Sequence, residues 1–542
     1  MRKLVLLAMV AMAVFAATYV KDASDLGYTI SADINLSLDA RNDFTQLAID
    51  AQWDFSTAFA GTVGGPALPV IRKIVRIPEG DGFDISADFE REEIDLVKKG
   101  LSTVLYPQQS PRFKSGKPSD FEYSPDLYHG QFGRKVAEIK PIGHVRGKRI
   151  GLLTIYPVAY DVAKGVLEFR SHIDLRIAFS QPIEPVDSRL ASRVFNRMTV
   201  DILEPADIDP IPSPEACYLI VTHEDFADSL LGFKKALATW GYRVRMVTTE
   251  ETGEDVDNIQ DYIQTAYDDW VVPPSFVLFV GSFDHVTSTV IPGSGWWDPG
   301  HPTDLYYVTT DGSDYIPDII HGRMAVEDLE DLHFLLAKTL SFYEWDFTEP
   351  SIWKRIAFAA CGDDGLYEVA MGTHQYAMDE YFHMPDYEPD SVWALEGGDT
   401  DDVLSILNNN VFLFNYSGHC SEDGWSNPTL EISDLSLVTN THPALLIGNC
   451  CLSGKFDDEC FAARVTNRHN GAVVYLGASN STMWDEDDVW ERRMYDAIMD
   501  GEYHHVGSFM FRGNMAVLEE YPDEAEYYFE IYHNFGDPAL VF

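Results

Sequence analysis

Cysteine is scarce in this 542-residue chain: there are six, at 217, 361, 420, 450, 451 and 460, and none earlier. A fold stapled throughout by disulfides is thereby excluded, and the adjacent Cys450 and Cys451 lack the CxxC partner pair that a zinc site needs. Positive charge is scarce as well. With 39 Lys and Arg against 87 Asp and Glu, the formal net charge is −48. Nucleic acid and anionic membrane surfaces are repelled at long range by such a chain, and cations are attracted. Most of these carboxylates read as solvated surface. After the first twenty residues no apolar run reaches the roughly 20 residues that span a bilayer, so no stable membrane insertion is expected. Internal repeats and low-complexity tracts are missing too, and 46% hydrophobic with 13% aromatic residues excludes a disordered chain.

What is present begins with MRKLVLLAMVAMAVFAATYV, two cations ahead of an apolar run ending in small residues. This is the build of a secretory signal peptide, expected over residues 1–17, and it sends the product to the cell-envelope exterior or beyond. From 22 to 185 short alternating runs such as TISADINLSL and LEFRSHIDLRIAF, separated by Gly, Pro and Asp, predict an all-β domain. Residues 186–215 hold several prolines and little periodicity, the composition of a linker. Beyond 216 apolar strands (CYLIV, FVLFV, RIAFAA, VFLFNY, ALLIGN, AVVYLGA) alternate with amphipathic segments. One of these has Phe226, Leu230, Phe233, Leu237 and Trp240 at helical spacing. Strand-helix alternation predicts an α/β fold with a mostly parallel sheet covered on both faces.

Ligands bind such sheets beyond the carboxyl ends of the strands. Three predicted strands run into reactive residues there: RIAFAA into Cys361-Gly362-Asp363-Asp364, VFLFNY into Ser417-Gly418-His419, and ALLIGN into Cys450-Cys451. A thiol becomes a competent nucleophile at neutral pH when an imidazole takes its proton, and a carboxylate can hold that imidazole in the right tautomer. Spacing alone leaves Cys450 and Cys451 in competition, because adjacent side chains on an extended segment point opposite ways.

The segments NYSGHCSEDGWSNP (415–428), LLIGNCCLSGKFDDECFA (445–462) and GAVVYLGASNSTMW (471–484) resemble the catalytic core of the gingipain family of cysteine peptidases. The likeness continues through YLIVTHEDFADSLLGFKKALATWGYRV, FVLFVGSFDHV, DGSDYIPDIIHGRM and the closing FGDPALVF, and so covers 216–542; GGPALPVIRKIVRIPEG (64–80) resembles the family's prodomain. The resemblance implies a caspase-like peptidase domain behind an all-β prodomain, with protein or peptide substrates and no cofactor for catalysis. It places the nucleophile on Cys451, followed by Leu452-Ser453-Gly454-Lys455-Phe456, the proton carrier on His419, and the third residue on Asp363 with Asp364 as fallback. It assigns the oxyanion to the backbone amides of Cys451 and Cys420. The family usually carries Gly where Cys420 stands, and a side chain there is costly if the position needs positive φ. Cys450 is expected to face away and be buried.

No acid occurs around Thr373–Tyr376, where arginine-selective members carry theirs, so the run Asp485-Glu486-Asp487-Asp488 is the candidate pocket, with Asp487, Asp488 and Trp484 named; a solvated acidic loop is the other reading. Asp314-Tyr315-Ile316-Pro317-Asp318 resembles a family calcium loop, with Asp314, the Ile316 carbonyl and Asp318 as ligands and Asp284 as a further carboxylate. The expected function is a secreted cysteine endopeptidase made as a proenzyme, activated by cutting near Arg189, Arg193 or Arg197. A sortase-like transpeptidase and a catalytically inactive surface binding protein are the alternatives.

Overall fold

Alternation of polar and apolar residues builds antiparallel sheets in the N-terminal third, while the continuous apolar runs after residue 216 become interior strands of one large sheet. The structure is a computed structural model describing residues 17–541 apart from 51–54, 81, 116–119, 207, 214, 296–297, 345–351, 363–364, 386 and 501–504. Residues 1–16 of the expected signal peptide, and both Asp363 and Asp364, lie outside the described residues.

The N-terminal region packs a six-stranded antiparallel sheet, which includes Gly27–Asp33 and Val166–Phe179, against a four-stranded one that includes Leu68–Arg76 and Lys148–Ile155. Every residue of Leu68–Arg76 is buried, which follows from a sheet covered on both faces. Ile71, Val75, Leu153 and Ile155 enter the core between the two N-terminal sheets, whereas Ile74, Ile150 and Leu152 enter a core shared with the C-terminal half. The period-2 alternation of a strand thus serves two cores at once.

In the C-terminal half a ten-stranded sheet runs, in spatial order, Arg243–Thr248, Cys217–Thr222, Pro274–Val280, Ile320–Met324, Tyr532–Phe535, Ala472–Ala478, Ala444–Asn449, Leu413–Ser417, Arg355–Ala360 and Glu388–Trp393. The first four strands are mutually parallel, and so are the last five; Tyr532–Phe535 joins the blocks and is antiparallel to Ala472–Ala478. Both faces are covered: Leu445 and Ile447 point into one core and Leu446 into another. The helical spacing read at 226–240 forms two helices, Glu224–Ala227 and Leu231–Thr239, that bury Phe226, Leu230, Phe233 and Leu237. Trp240 instead stacks on Tyr343 with ring centroids 3.8 Å apart.

Residues 186–215 are not a loose tether. They form the helix Arg193–Met198, with Val194, Phe195 and Met198 buried. Glu204 and Asp209 pair with the buried Arg76 at 3.1 and 2.9 Å.

Candidate active site

The last three strands of interest end in register: Ala360 pairs with Ser417, and Ser417 with Asn449. His419 and Cys451 therefore leave neighbouring parallel strands at the same edge of the sheet. The histidine turn depends on Gly418, where a Cβ would lie 2.5 Å from the Tyr416 hydroxyl and 2.7 Å from Cys361 Cβ. Its carbonyl is held by Tyr416 Oη at 2.9 Å and by the Ser426 amide at 3.0 Å, and its ring meets Trp484 edge to face with centroids 5.4 Å apart.

Cys451 is a free thiol, 2% exposed, and its sulfur accepts a hydrogen bond from the Thr482 amide at 3.3 Å. Burial raises the pKa of this thiol, opposed by the Thr482 amide and by nearby Lys114. Directly after it Leu452 adopts φ 62°, a left-handed conformation costly for a branched side chain and typical of functional turns. Of the two adjacent cysteines, Cys450 is bonded to Cys420, with Cα atoms 5.3 Å apart, while Cys451 keeps its thiol. That bond also accounts for the cysteine standing where the family usually has glycine. Among the described residues positive φ at non-glycine positions is confined to Asn42, Arg146, Asn410 and Leu452, so the strain expected at Cys420 does not arise.

The sheet edge beside Cys451 is occupied by a segment that sequence reasoning missed. Arg112–Ser115 from the N-terminal region lies antiparallel to residues 481–484, with Trp484 N donating to Arg112 O at 2.9 Å and Lys114 N to Thr482 O at 2.8 Å. The Lys114 side chain is fully enclosed. Its ammonium pairs with Asp487 Oδ2 at 2.7 Å, donates to Asn449 O at 2.6 Å and to Ser417 Oγ at 3.3 Å, and sits 4.9 Å from the centre of the Trp484 ring. Two hydrogen bonds and one ion pair thus surround the ammonium. Asp487 Oδ1 in turn accepts from Tyr532 and Tyr528 at 2.7 and 3.0 Å. Asp487 and Trp484, 1% and 2% exposed, are thus buried around the Lys114 ammonium and do not form a solvated acidic loop. Asp488, the other carboxylate expected there, turns to Arg492 at 2.7 Å. The only sequence cue to Lys114 was its place in a cation-containing, weakly patterned stretch, PRFKSGK.

The expected calcium ligands are used otherwise. Asp318 Oδ1 accepts from the Arg146 amide at 2.5 Å and Oδ2 from Thr310 and Asp311 at 2.9 and 2.7 Å, while Asp314 accepts from Ile316 and His144 at 2.9 and 2.8 Å. All four carboxylate oxygens are engaged with backbone amides, Ile316 is buried, and Asp284 lines a separate acidic cavity beside Glu327 and Asp457. Among the described residues no group of three or more His, Cys, Asp or Glu side chains is arranged to hold a metal. The residues present do not fit a bound calcium in this form of the chain.

Comparison with known proteins agrees with this architecture. The chain is 28% identical to Lys-gingipain of Porphyromonas gingivalis over 532 residues, covering 89% of this chain and 30% of that protein. With Gingipain R2 of the same species it is 21% identical over 515 residues, covering 88% of this chain and 67% of that protein. The chain thus spans under a third of the length of the Lys-gingipain relative. Among solved structures, a protease is 27% identical with a TM-score of 0.55, covering 61% of this chain and 79% of that one. The complex of the P. gingivalis RgpB pro- and mature domains has the same fold at 18% identity, with a TM-score of 0.55, covering 60% of this chain and 79% of that one. The sequence profile of Peptidase family C25 matches residues 211–542, more than half of the chain. The chain belongs to peptidase family C25, a family of cysteine-type peptidases.

Proposed function

We propose that this chain is the latent precursor of an exported cysteine endopeptidase that cuts after lysine. The observation that carries the reading is Lys114, enclosed beside the Cys451 thiol with Asp487 at its ammonium. An extended strand that pairs with the protein by main-chain hydrogen bonds and sends one side chain into a pocket is a general way of holding a peptide. Here the N-terminal region holds the site as a substrate would. The compact set of one carboxylate and two acceptors suits a point-like ammonium better than the planar five-donor guanidinium of arginine. A substrate lysine would enter after Lys114 leaves, so the same contacts account for both latency and selectivity.

In the chemistry proposed, His419 takes the thiol proton and the Cys451 sulfur attacks the scissile carbonyl carbon. The backbone amides of Cys451 and Cys420 receive the oxyanion. His419 then gives the proton to the leaving amine, and water hydrolyses the thioester by the reverse proton path. Asp363 is the proposed orienting carboxylate of His419. The exported location rests on the N-terminal apolar run.

A lysine-directed enzyme has a further consequence for maturation. The chain contains no lysine between Lys164 and Lys234, although Arg189, Arg193 and Arg197 fall there. Release of the N-terminal region by a cut in 186–215 is therefore assigned to a second, arginine-directed peptidase, in place of self-cleavage. Arg193 and Arg197 are exposed but lie on the helix Arg193–Met198, which has to open before such a cut. Cleavage profiling of a denatured protein mixture with the separated mature domain tests the core of the proposal. Cuts after lysine, lost on Asp487→Asn, are expected; cuts after arginine or after uncharged residues would overturn the assignment of the pocket.

A further inference from the structure

The Cys420–Cys450 bond joins the residue after His419 to the residue before Cys451, at the point where the sheet stops holding the two chains together. The ladder between Leu413–Ser417 and Ala444–Asn449 ends at Ser417 and Asn449, followed by a single long hydrogen bond from Gly418 N to Asn449 O at 3.3 Å. Beyond it each chain turns away to other partners: Cys420 pairs with Trp425 in a small hairpin, and Leu452 N bonds to Asn480 O at 3.1 Å. The disulfide is thus the link between these strand ends nearest the two reactive side chains.

We infer that Cys420 and Cys450 are positioning residues, whose bond sets the distance between imidazole and thiol and fixes the amide of Cys420 toward the oxyanion. This rests on the reading of Cys451 and His419 as the reacting pair. It gives neighbouring residues opposite redox requirements: Cys451 works only as a thiol, and Cys450 only as half of a disulfide. Cys450 is wholly buried while Cys420 is partly exposed, so a dithiol attacks Cys420 Sγ. The S–S bond breaks, the Cys450 thiolate leaves and takes a proton, and the second thiol of the reductant displaces Cys420 from the mixed disulfide. Two electrons pass to the protein, and the reductant departs as its cyclic disulfide. Ordinary cysteine peptidases gain activity with reductant; this one gains it only until the brace is cut.

The test uses the activated enzyme and a lysyl peptide over rising dithiothreitol, with alkylation and mass spectrometry scoring each cysteine. Once Cys420 and Cys450 read as reduced, kcat is expected to fall at least about tenfold, since small misplacements of reacting groups carry such penalties. KM should change less than kcat, because the Asp487 carboxylate stands on a different element from the bond while only the acceptor Asn449 O adjoins Cys450, and a loss mainly in kcat places the effect in the chemical step. The acid limb of the kcat/KM profile, which reports the thiol-imidazole pair, should move as well. Cys420→Ala/Cys450→Ala should show the same loss and no further response to strong reductant. Cys420→Gly/Cys450→Ser serves where that variant does not fold, and either variant decides where the bond resists reduction. Full kcat and an unmoved pH limb with both cysteines reduced or replaced would overturn the inference. Persistent hydrolysis by Cys451→Ala would instead overturn the nucleophile on which it rests.

Discussion

Two cations of the N-terminal region are buried in the C-terminal half, and they are received in different ways. Lys114 meets a carboxylate, Asp487, with a carbonyl and a hydroxyl completing the set. Arg146 gives its guanidinium to main-chain carbonyls, Leu190 at 3.0 Å, Pro274 at 2.6 Å, Asp318 at 3.0 Å and Pro273 at 3.3 Å. It sits at the tip of a two-residue hairpin with φ 50° at Arg146 and 80° at Gly147, the backbone of a tight turn whose twist suits a hairpin. Carbonyls of fixed backbone make a permanent seat. Under the proposed function, a carboxylate beside the Cys451 thiol is a seat that a substrate lysine can take once Lys114 leaves. On this reading Arg146 anchors the N-terminal region and Lys114 blocks the site.

The largest effect separates chemistry from both cations. Cys451→Ala in the activated enzyme is expected to lower hydrolysis of a lysyl peptide by at least about 10⁴-fold, while the unprocessed variant keeps its N-terminal region bound. Loss of that binding in the Cys451→Ala precursor would mean that the thiol, and not Lys114 or Arg146, holds the two halves together.

Next is the block itself. Lys114→Ala removes one partner of a buried ion pair and leaves Asp487 uncompensated, a change that costs about 3–5 kcal/mol. The isolated N-terminal region carrying it should inhibit the activated enzyme at least about 10²-fold more weakly. Undiminished inhibition would relocate latency to the broad interface of Leu68–Arg76. There Ile74 N donates to Glu519 Oε1 at 3.2 Å and Ser56 Oγ to Glu519 Oε2 at 2.9 Å.

Arg146→Ala is the converse, with about 1–3 kcal/mol at stake from buried carbonyls left without donors. The cleaved N-terminal region should dissociate faster in a surface-binding experiment, yet the uncut precursor should stay latent because Lys114 is still in place. A precursor already active with Arg146→Ala would erase the distinction between anchor and block.

Much of this was readable in the amino-acid order, and the residues that were not share a cause. Apolar runs such as ALLIGN and VFLFNY declare interior strands because burial on both faces leaves no polar positions. The candidate residues His419 and Cys451 follow those runs closely, and the strand register brings the two ends to one edge of the sheet. Lys114 could not be found this way: its role comes from Asp487, 373 positions later, and no local pattern encodes such a contact. The composition of 186–215 gave no sign of the helix Arg193–Met198 within it, which forms because Val194, Phe195 and Met198 are buried. Asp314 and Asp318 were read as calcium ligands from the likeness of 314–318 to a family loop, and backbone amides of His144 and Arg146 satisfy lone pairs of the same carboxylates.

The smallest effect contrasts the two halves by their histidines. In the N-terminal region His172 is half-exposed and its pKa is raised, chiefly by the hydrogen bond to Asp33 at 2.6 Å. In the C-terminal half burial drives His533 down to about 3 and His321 to about 4. A raised folded pKa gives stability that is complete below the unfolded value near 6.5 and fades as pH rises through the folded value, so acidification favours the His172 contact. A depressed folded pKa acts in the other direction: the unfolded chain binds the proton first, and stability falls as pH drops below 6.5 toward the folded value. Between pH 7 and pH 6 each of the two buried histidines should cost about 0.7 kcal/mol, from the linkage relation with an unfolded pKa of about 6.5. Glu520 and Glu524, which burial raises to about 7, take up protons in the same window and favour the folded chain on acidification, so the histidine share is read as a difference between variants. Urea unfolding at the two pH values, with an unchanged slope, should show His533→Asn losing about 0.7 kcal/mol less than the parent chain on going from pH 7 to pH 6. An identical pH response of the two chains would show that His533 is not held neutral by burial, removing the contrast with His172.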